Sequence, residues 1–315
     1  MSKVLVTGGA GFIGSNVSRL LLDSGREVVI YDNLSSGYRR NLETVKESTF
    51  VQGDVRDAGL LQQTMAGVDT VFHLAASVGN VRSIEHPIED SEINVIGTLN
   101  VLEAARKNHV RKIVYSSSAG IFGELKHLPI REDHPVEPDS PYGASKLAAE
   151  KHCLAYAKLY DIEAVCLRYF NVFGINQRYD AYGNCIPIFA HKIFNHETVT
   201  IFGDGEQTRD FVNVADVARA NLLAGETQGV SGAFNIASAS AITINRLVEL
   251  MAEASGTQPE VVHGPPRKGD VRDSLADITA ARDAFGFRPV VDLSSGLAEY
   301  LAWHKGDTRN PVEPQ

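Results

Sequence analysis

Tyr142 and Lys146 stand four residues apart in Ser140-Pro141-Tyr142-Gly143-Ala144-Ser145-Lys146-Leu147. Proline suits the first turn of a helix, and residues four apart on a helix share a face. An ammonium beside a phenol favours the phenolate and lowers its pKa from about 10 toward working pH. That chemistry makes Tyr142 a candidate general base. The plain alternative is a half-buried tyrosine and a solvated lysine on an ordinary helix. A second candidate lies in Ile113-Val114-Tyr115-Ser116-Ser117-Ser118, a strand pattern ending in three hydroxyls. A hydroxyl there can hydrogen-bond a substrate oxygen and relay its proton, whereas a serine-rich turn is the bland reading.

The elements that must position these groups begin at the start of the chain. Val4-Leu5-Val6-Thr7-Gly8-Gly9-Ala10-Gly11-Phe12-Ile13-Gly14 runs from an apolar strand through a glycine-rich turn into a helix pattern. This is the arrangement that binds a dinucleotide pyrophosphate. Gly8 allows the tight turn, Gly11 lets the cofactor approach the backbone, and Gly14 lets the helix pack on the strand. The helix start offers free N–H groups and a positive dipole end to phosphate. A second strand, Glu27 to Tyr31, delivers Asp32. An acid there accepts from ribose hydroxyls and repels a 2′-phosphate, which points to NAD(H) rather than NADP(H).

Apolar strand-like runs recur at 4–7, 28–31, 49–52, 69–73, 112–116 and 164–169, with helical periodicity between them. Such alternation predicts an α/β fold with a doubly wound parallel sheet of the Rossmann type. We expect residues 1–171 to form the NAD-binding domain, with later returns near 210–240. Residues 172–305 are expected to form mainly a smaller C-terminal α/β lobe for substrate, and 306–315 a tail. Helical stripes such as Ile244, Leu247, Val248 and Met251 belong to that second lobe.

Among 315 residues, no apolar run approaches the roughly 18 needed to span a bilayer. The chain enters its first strand at Lys3 or Val4, which leaves no room for a signal peptide. The three cysteines, Cys153, Cys166 and Cys185, are widely separated and form no CxxC pair. A reducing cytoplasm is therefore expected, with no disulfide framework. The ten histidines lack metal-ligand spacing, so no metal is expected. A net charge of -9 without a basic block argues against nucleic acid. Positive charge for an anionic ligand must then be local, which draws attention to arginines in the second half.

With these motifs in order, the chain resembles the extended short-chain dehydrogenase/reductase family, and within it the nucleotide-sugar 4-epimerases. The likeness runs over roughly residues 3 to 304. It implies that Thr7 to Gly14, including Gly8, Gly11, Phe12 and Ile13, form the cofactor loop. By the same resemblance Asp32, Asn33, Ser35, Ser36 and Gly37 bind ribose, and Asp54 and Val55 meet adenine. Leu74, Ala75, Ala76, Asn94, Ser116 and Phe170 line the cofactor. Tyr142, Lys146 and Ser118 are implied as catalytic, with Tyr142 and Lys146 also touching cofactor and Ser118 and Tyr142 touching substrate. Arg168-Tyr169-Phe170-Asn171-Val172-Phe173-Gly174 resembles a segment touching both nicotinamide and sugar diphosphate. Asn171, Asn184, Thr200, Ile201 and Phe202 are implied as uridine and diphosphate contacts. Arg209 and Arg267 would grip phosphate and Asp270 the ribose; two-point pairing suits arginine to that task. Without the resemblance, each arginine reads as a surface ion pair.

The resemblance also bears on the reaction. Dehydratases and decarboxylases of the family carry an acid one or two places after the catalytic serine or threonine. Here those places hold Ala119 and Gly120, which transfer no protons. What remains is redox-neutral inversion at C4 through a transient 4-keto sugar. Ser274, four residues after Asp270, stands where a small side chain admits an N-acetyl group. Gln177 likewise resembles the N-acetyl-preferring group. UDP-GlcNAc and UDP-GalNAc are therefore expected as substrates, with possible activity on UDP-glucose and UDP-galactose. Phe122 replaces a frequent tyrosine. Arg82 meets either an acidic sugar such as UDP-glucuronate or, as we favour, Glu85. An epimerase for UDP-glucuronate or another nucleotide sugar stays open, as does a non-catalytic NAD-binding sensor on the same fold. Helices near 89–107 and 141–160 resemble those of a homodimer.

Overall fold

The structure, a computed structural model, describes residues 2–179, 184–266 and 272–306. The first half alternates strand and helix: β1 (Lys3–Thr7), α1 (Phe12–Asp23), β2 (Glu27–Asp32), α2 (Arg39–Leu42), β3 (Thr49–Gln52), α3 (Ala58–Thr64) and β4 (Thr70–His73). Then come α4 (Asn80–Glu85), α5 (Pro87–Ser91), a π-helical turn over Glu92–Ile96, α6 (Gly97–Lys107), β5 (Lys112–Ser118), α7 (Pro141–Leu159) and β6 (Glu163–Tyr169). The six strand runs read from sequence are these six strands. A later strand, β10 (Gly232–Ile236), joins the same sheet beside β6.

The sheet order is β10-β6-β5-β4-β1-β2-β3, with all neighbours parallel. Strand order therefore reverses between β1 and β4, and in such sheets ligands bind at the carboxyl ends of the strands there. The strands read as near-continuous apolar runs because both faces are covered. Val4, Val6, Val28, Ile30 and Val114 pack on one side with Val17 and Leu21 of α1. Leu5, Val29, Val71 and Ile113 pack on the other with Leu61 of α3, Val101 and Leu102 of α6 and Ala149 of α7. Each such fully buried aliphatic side chain contributes roughly 1.5–3 kcal/mol.

The rest of the chain comprises β7 (Asn171–Phe173), α8 (Cys185–Phe194), β8 (Val199–Phe202), β9 (Thr208–Asn213), α9 (Val214–Glu226), β11 (Ala241–Thr243), α10 (Ile244–Ser255), β12 (Val261–Gly264), α11 (Thr279–Phe285) and α12 (Leu293–Gly306). Helix α9 packs back on the central sheet, its Val217 and Ala220 buried there. Helix α11 joins the central core through Ala281 and Phe285, and the rest build two small sheets, β11-β9-β7 and β12-β8, with a separate core. The stripe Ile244, Leu247, Val248 and Met251 is buried in that core against Leu297, Tyr300 and Leu301 of α12. Thr243 starts α10 by accepting from Arg246 N at 3.1 Å, a standard side-chain cap. Among the described residues no helix is long and apolar enough to cross a membrane. The tail expected over 306–315 lies, from 307, outside the described residues.

Candidate active site

At the carboxyl end of β1 the chain turns at Gly8, whose φ is 70°. A Cβ on Gly8 would stand 2.7 Å from Ala75 N, and one on Gly14 would stand 2.1 Å from Gly8 O. The loop thus lies directly against the Leu74–Ala76 segment, and α1 rises from it with no space for a side chain. Gly11, at the N-cap of α1, has no side chain to cap it, which leaves the first-turn N–H groups of Phe12 and Ile13 without a side-chain acceptor from that position. Asp32 is buried, accepting from Ala10 N at 3.0 Å and Leu34 N at 2.7 Å. Burial pushes its pKa up and the two backbone donors pull it back. Each carboxylate oxygen keeps further acceptor capacity.

Asn33, Ser35 and Ser36 are exposed on the rim and Gly37 is buried against Ala10. The hydrogen-bonded Arg56 guanidinium holds the Asp54 carboxyl well below the usual carboxylate range, and Asn33 Nδ2 donates to the same group at 2.9 Å. Val55 is buried beside Gly97. His73, at the end of β4, bridges Thr7 Oγ1 at 2.7 Å and Thr98 Oγ1 at 2.9 Å. Burial drives the His73 pKa down to about 3, with help from Lys146. A turn that only glycine fits, an uncapped helix start and an acid ending β2 suit a dinucleotide.

Two strands away, β5 ends in Ser116, Ser117 and Ser118. Ser140 caps α7 by accepting from Gly143 N at 3.1 Å, and Pro141 occupies the first turn. The cap sets the face on which Tyr142 and Lys146 sit. Ser118 Oγ accepts from Gly120 N at 3.1 Å, and a Cβ placed on Gly120 would lie 3.8 Å from Cδ1 and Cε1 of Tyr142, so the ring edge lies beside the turn that Ser118 caps. Ser118 pulls the phenol pKa down, yet burial outweighs it and the phenol stands above its ordinary value. This corrects the expectation that Lys146 depresses the phenol in the protein as folded. The Lys146 ammonium instead lies 4.5 Å from the centroid of the Tyr115 ring. Burial lowers the Lys146 pKa to about 8. Phe122 is fully buried, packed on His134 and Phe170, so the missing hydroxyl leaves an apolar contact.

Across the cleft, Asn171 donates to Asp210 O at 3.1 Å and is half-buried, as is Arg209, which donates to Thr208 O at 2.7 Å. Asn184 is exposed at the start of α8. Along β8, Val199 and Ile201 point into the core while Thr200 and Phe202 are half-buried. Strand alternation therefore leaves Ile201 its backbone for a ligand. Gln177 is buried, with Nε2 on Val172 O at 3.1 Å and Oε1 unpartnered among the described residues. Ser274 is 8% exposed. Arg267 and Asp270 lie outside the described residues. Arg82 faces Glu89 at 3.7 Å rather than Glu85.

The sequence reading missed the support behind this face. Arg168 makes two bonds to Glu150, at 3.0 and 2.8 Å, and Glu150 also accepts from Ser117 Oγ at 2.7 Å. Arg168 is therefore committed inside the protein and does not face a ligand. Glu150 is one helical turn beyond Lys146, a spacing that would have flagged it. Asn94 is 2% exposed and commits its amide to Ser77, Asp90 and Ser145. Among the described residues no group of histidine, cysteine and acidic side chains is placed to hold a metal.

Set against known proteins, residues 4–237 match the model of the NAD dependent epimerase/dehydratase family. Over 308 residues, 97% of this chain and 99% of the relative, the sequence is 40% identical to a putative UDP-glucose 4-epimerase of Methanocaldococcus jannaschii. The solved UDP-N-acetylglucosamine 4-epimerase of Methanobrevibacter ruminantium, in complex with UDP-N-acetylmuramic acid, is similar at TM-score 0.93 and 36% identity, covering 98% of this chain and 99% of that one. UDP-glucose 4-epimerase of Thermotoga maritima, solved with UDP-glucose, is similar at TM-score 0.93 and 38% identity, covering 98% and 100%.

Proposed function

We propose that this chain, which belongs to the NAD dependent epimerase/dehydratase family, catalyses reversible inversion at C4 of a UDP-hexose. The observation that carries the reading is that Ser118, at the carboxyl end of β5, hydrogen-bonds the Tyr142 phenol on the same sheet edge as the glycine turn after β1. Bound NAD would supply the hydride acceptor for the sugar carbon and the hydride for its return. The remaining steps belong to the protein. Phe12 and Ile13 offer N–H groups to the pyrophosphate, and Asp32 holds the ribose hydroxyls. We take Tyr142 and Lys146 to titrate as one pair once cofactor and sugar bring them together. Once it has lost one proton, its phenolate–ammonium form takes the proton of the 4-hydroxyl, directly or through Ser118. Tyr142 returns the proton after the keto sugar has turned about its diphosphate. Ala119 and Gly120 supply no second acid for elimination.

We assign the nucleotide sugar to the lobe built from residue 172 onward, with Arg209, Arg267 and Asp270 on the diphosphate and ribose and Asn171, Asn184, Thr200 and Phe202 beside them. UDP-GlcNAc and UDP-GalNAc are the proposed pair, with UDP-glucose and UDP-galactose also turned over. Two features support the N-acetyl preference: the small side chain of Ser274 and Gln177 Oε1, unpartnered among the described residues and an acceptor suited to an acetamido N–H. The exposed Ile84, Ile88, Ile96 and Leu159, on or beside α4 to α7, support a homodimer that covers them. The test is a panel of UDP-GlcNAc, UDP-glucose and UDP-glucuronate with the C4 epimers resolved. We expect epimers from the first two. Absence of any C4 epimer across the panel sinks the reading.

A further inference from the structure

Behind the Tyr142–Lys146 face lies a buried acid with no salt-bridge partner among the described residues. Asp90, in α5, is 1% exposed. Its Oδ2 accepts from Ser145 Oγ at 2.5 Å and its Oδ1 from Asn94 Nδ2 at 3.1 Å. Ser145 sits in the turn between Tyr142 and Lys146, and its hydroxyl also lies 3.0 Å from Tyr142 O. Asn94 carries the same tie outward, its Oδ1 accepting from Ser77 N at 2.8 Å. The widened π-helical turn that holds Asn94 is a geometry frequent at functional sites.

The other buried acid of this region is handled differently. Glu150 is matched by the Arg168 guanidinium through two hydrogen bonds. A buried carboxylate without such a cation is expensive. The cation that the fold brings near Asp90 is the Lys146 ammonium, itself 2% exposed.

We propose that Asp90 is a positioning residue for the epimerisation, fixing through Ser145 and Asn94 the turn of α7 that carries Tyr142 and Lys146 and setting, by its charge, how tightly that pair holds its protons. This inference rests on the epimerase reading. The groups that face the pair are His73 of β4, Tyr115 and Ser118 of β5, Cys166 of β6, Cys153 and Glu150 of α7, and Asp90 of α5. Asp90 raises the proton affinity of both members, opposing the phenolate and supporting the ammonium. Removing its charge therefore lowers both macroscopic pKa values of the pair, whichever member each proton is assigned to. A purely structural acid would leave the profile in place.

The experiment is the pH profile of kcat with UDP-GlcNAc or UDP-glucose for wild type, Asp90→Asn, Asp90→Ser and Asp90→Glu. Both neutral variants are expected to shift the two limbs to lower pH by roughly half to one unit. Asp90→Glu, which keeps the charge, is expected to bring the limbs back toward wild type. A neutral variant that folds and turns over with unmoved limbs overturns the role of Asp90 and leaves the epimerase reading standing. Failure of both neutral variants to fold, with Asp90→Glu folded, assigns Asp90 to stability alone and equally overturns it. A wild type that makes no epimer defeats the epimerase reading instead, and this inference with it.

Discussion

The turn at the ends of β1 and β2 is made of backbone, while the support behind Ser118 and Tyr142 is made of side-chain pairs. At the ends of β1 and β2, a turn without room for a Cβ, an uncapped helix and two backbone N–H groups on Asp32 define the geometry. At the ends of β5 and β6, position depends on distant partners. Arg168 reaches Glu150 and also donates to Glu132 O at 3.0 Å, and Glu132 accepts from Asn235 N at 2.8 Å. Asn235 in turn donates to Ile130 O and Asp277 O at 3.0 and 3.2 Å. The first design resists change to its side chains because few take part. The second fails when any one partner is lost.

Breaking the side-chain design has the largest expected effect. Arg168→Met strands Glu150 as a buried, uncompensated charge and is expected to cost roughly 3–5 kcal/mol of stability. Arg168→Met with Glu150→Leu is expected to regain most of that, since both charges go together. Urea unfolding of the two variants measures it, and equal losses would place the Arg168 effect in packing. On the backbone side, Gly14→Ala forces a methyl to 2.1 Å from Gly8 O. We expect a loss of roughly 1–3 kcal/mol together with loss of NAD from the purified protein, followed by thermal unfolding and release of bound nucleotide. An unchanged NAD content would mean that the loop tolerates more than its geometry indicates.

The two designs were unequally legible for the same reason. Backbone devices leave local marks: Gly8, Gly14 and Asp32 are found from spacing, and β1 to β6 from apolar runs covered on both faces. Pairs between distant elements leave none. Nothing in Arg168 names Glu150 or Glu132, so the segment around it reads as ligand-facing. Asp90 and Asn94 meet Ser145 only after α5 and α7 pack. Strand β10 escapes because Gly-Ala-Phe-Asn-Ile lacks a clean apolar run. The Tyr142–Lys146 spacing gave a shared face, yet burial, which no spacing reports, sets both groups' proton affinities.

His73 sharpens the comparison, since it ties β1 to α6 by side-chain bonds within the backbone-built half. Its folded pKa is about 3, against 6.5 ordinarily, so the unfolded chain takes up a proton first as pH falls. The stability His73 contributes is present above about 6.5 and drains away between there and about 3. The slope is roughly 1.4 kcal/mol per pH unit. His73→Gln should flatten that slope in denaturation series at successive pH values, and an unchanged slope would move the acid sensitivity to other groups.

The smallest effect concerns choice between sugars. Ser274 is buried but short, and it follows the segment to which we assign the diphosphate and ribose grip. Ser274→Tyr fills that space with a ring. If the C2 substituent borders it, an acetamido group loses room that a hydroxyl does not need. A discrimination of about tenfold in kcat/KM is the scale expected from a steric wall of this kind. UDP-GlcNAc turnover should therefore fall about tenfold relative to UDP-glucose. Thermal unfolding measured beside it reports how much of the fall comes from packing, since a ring at a buried serine costs roughly 1–3 kcal/mol where the surroundings do not yield. An equal fall on both substrates would show that the ring disturbs the lobe as a whole and that another side chain bounds the N-acetyl pocket. Gln177, whose Oε1 has no partner among the described residues, would then be the next position to change.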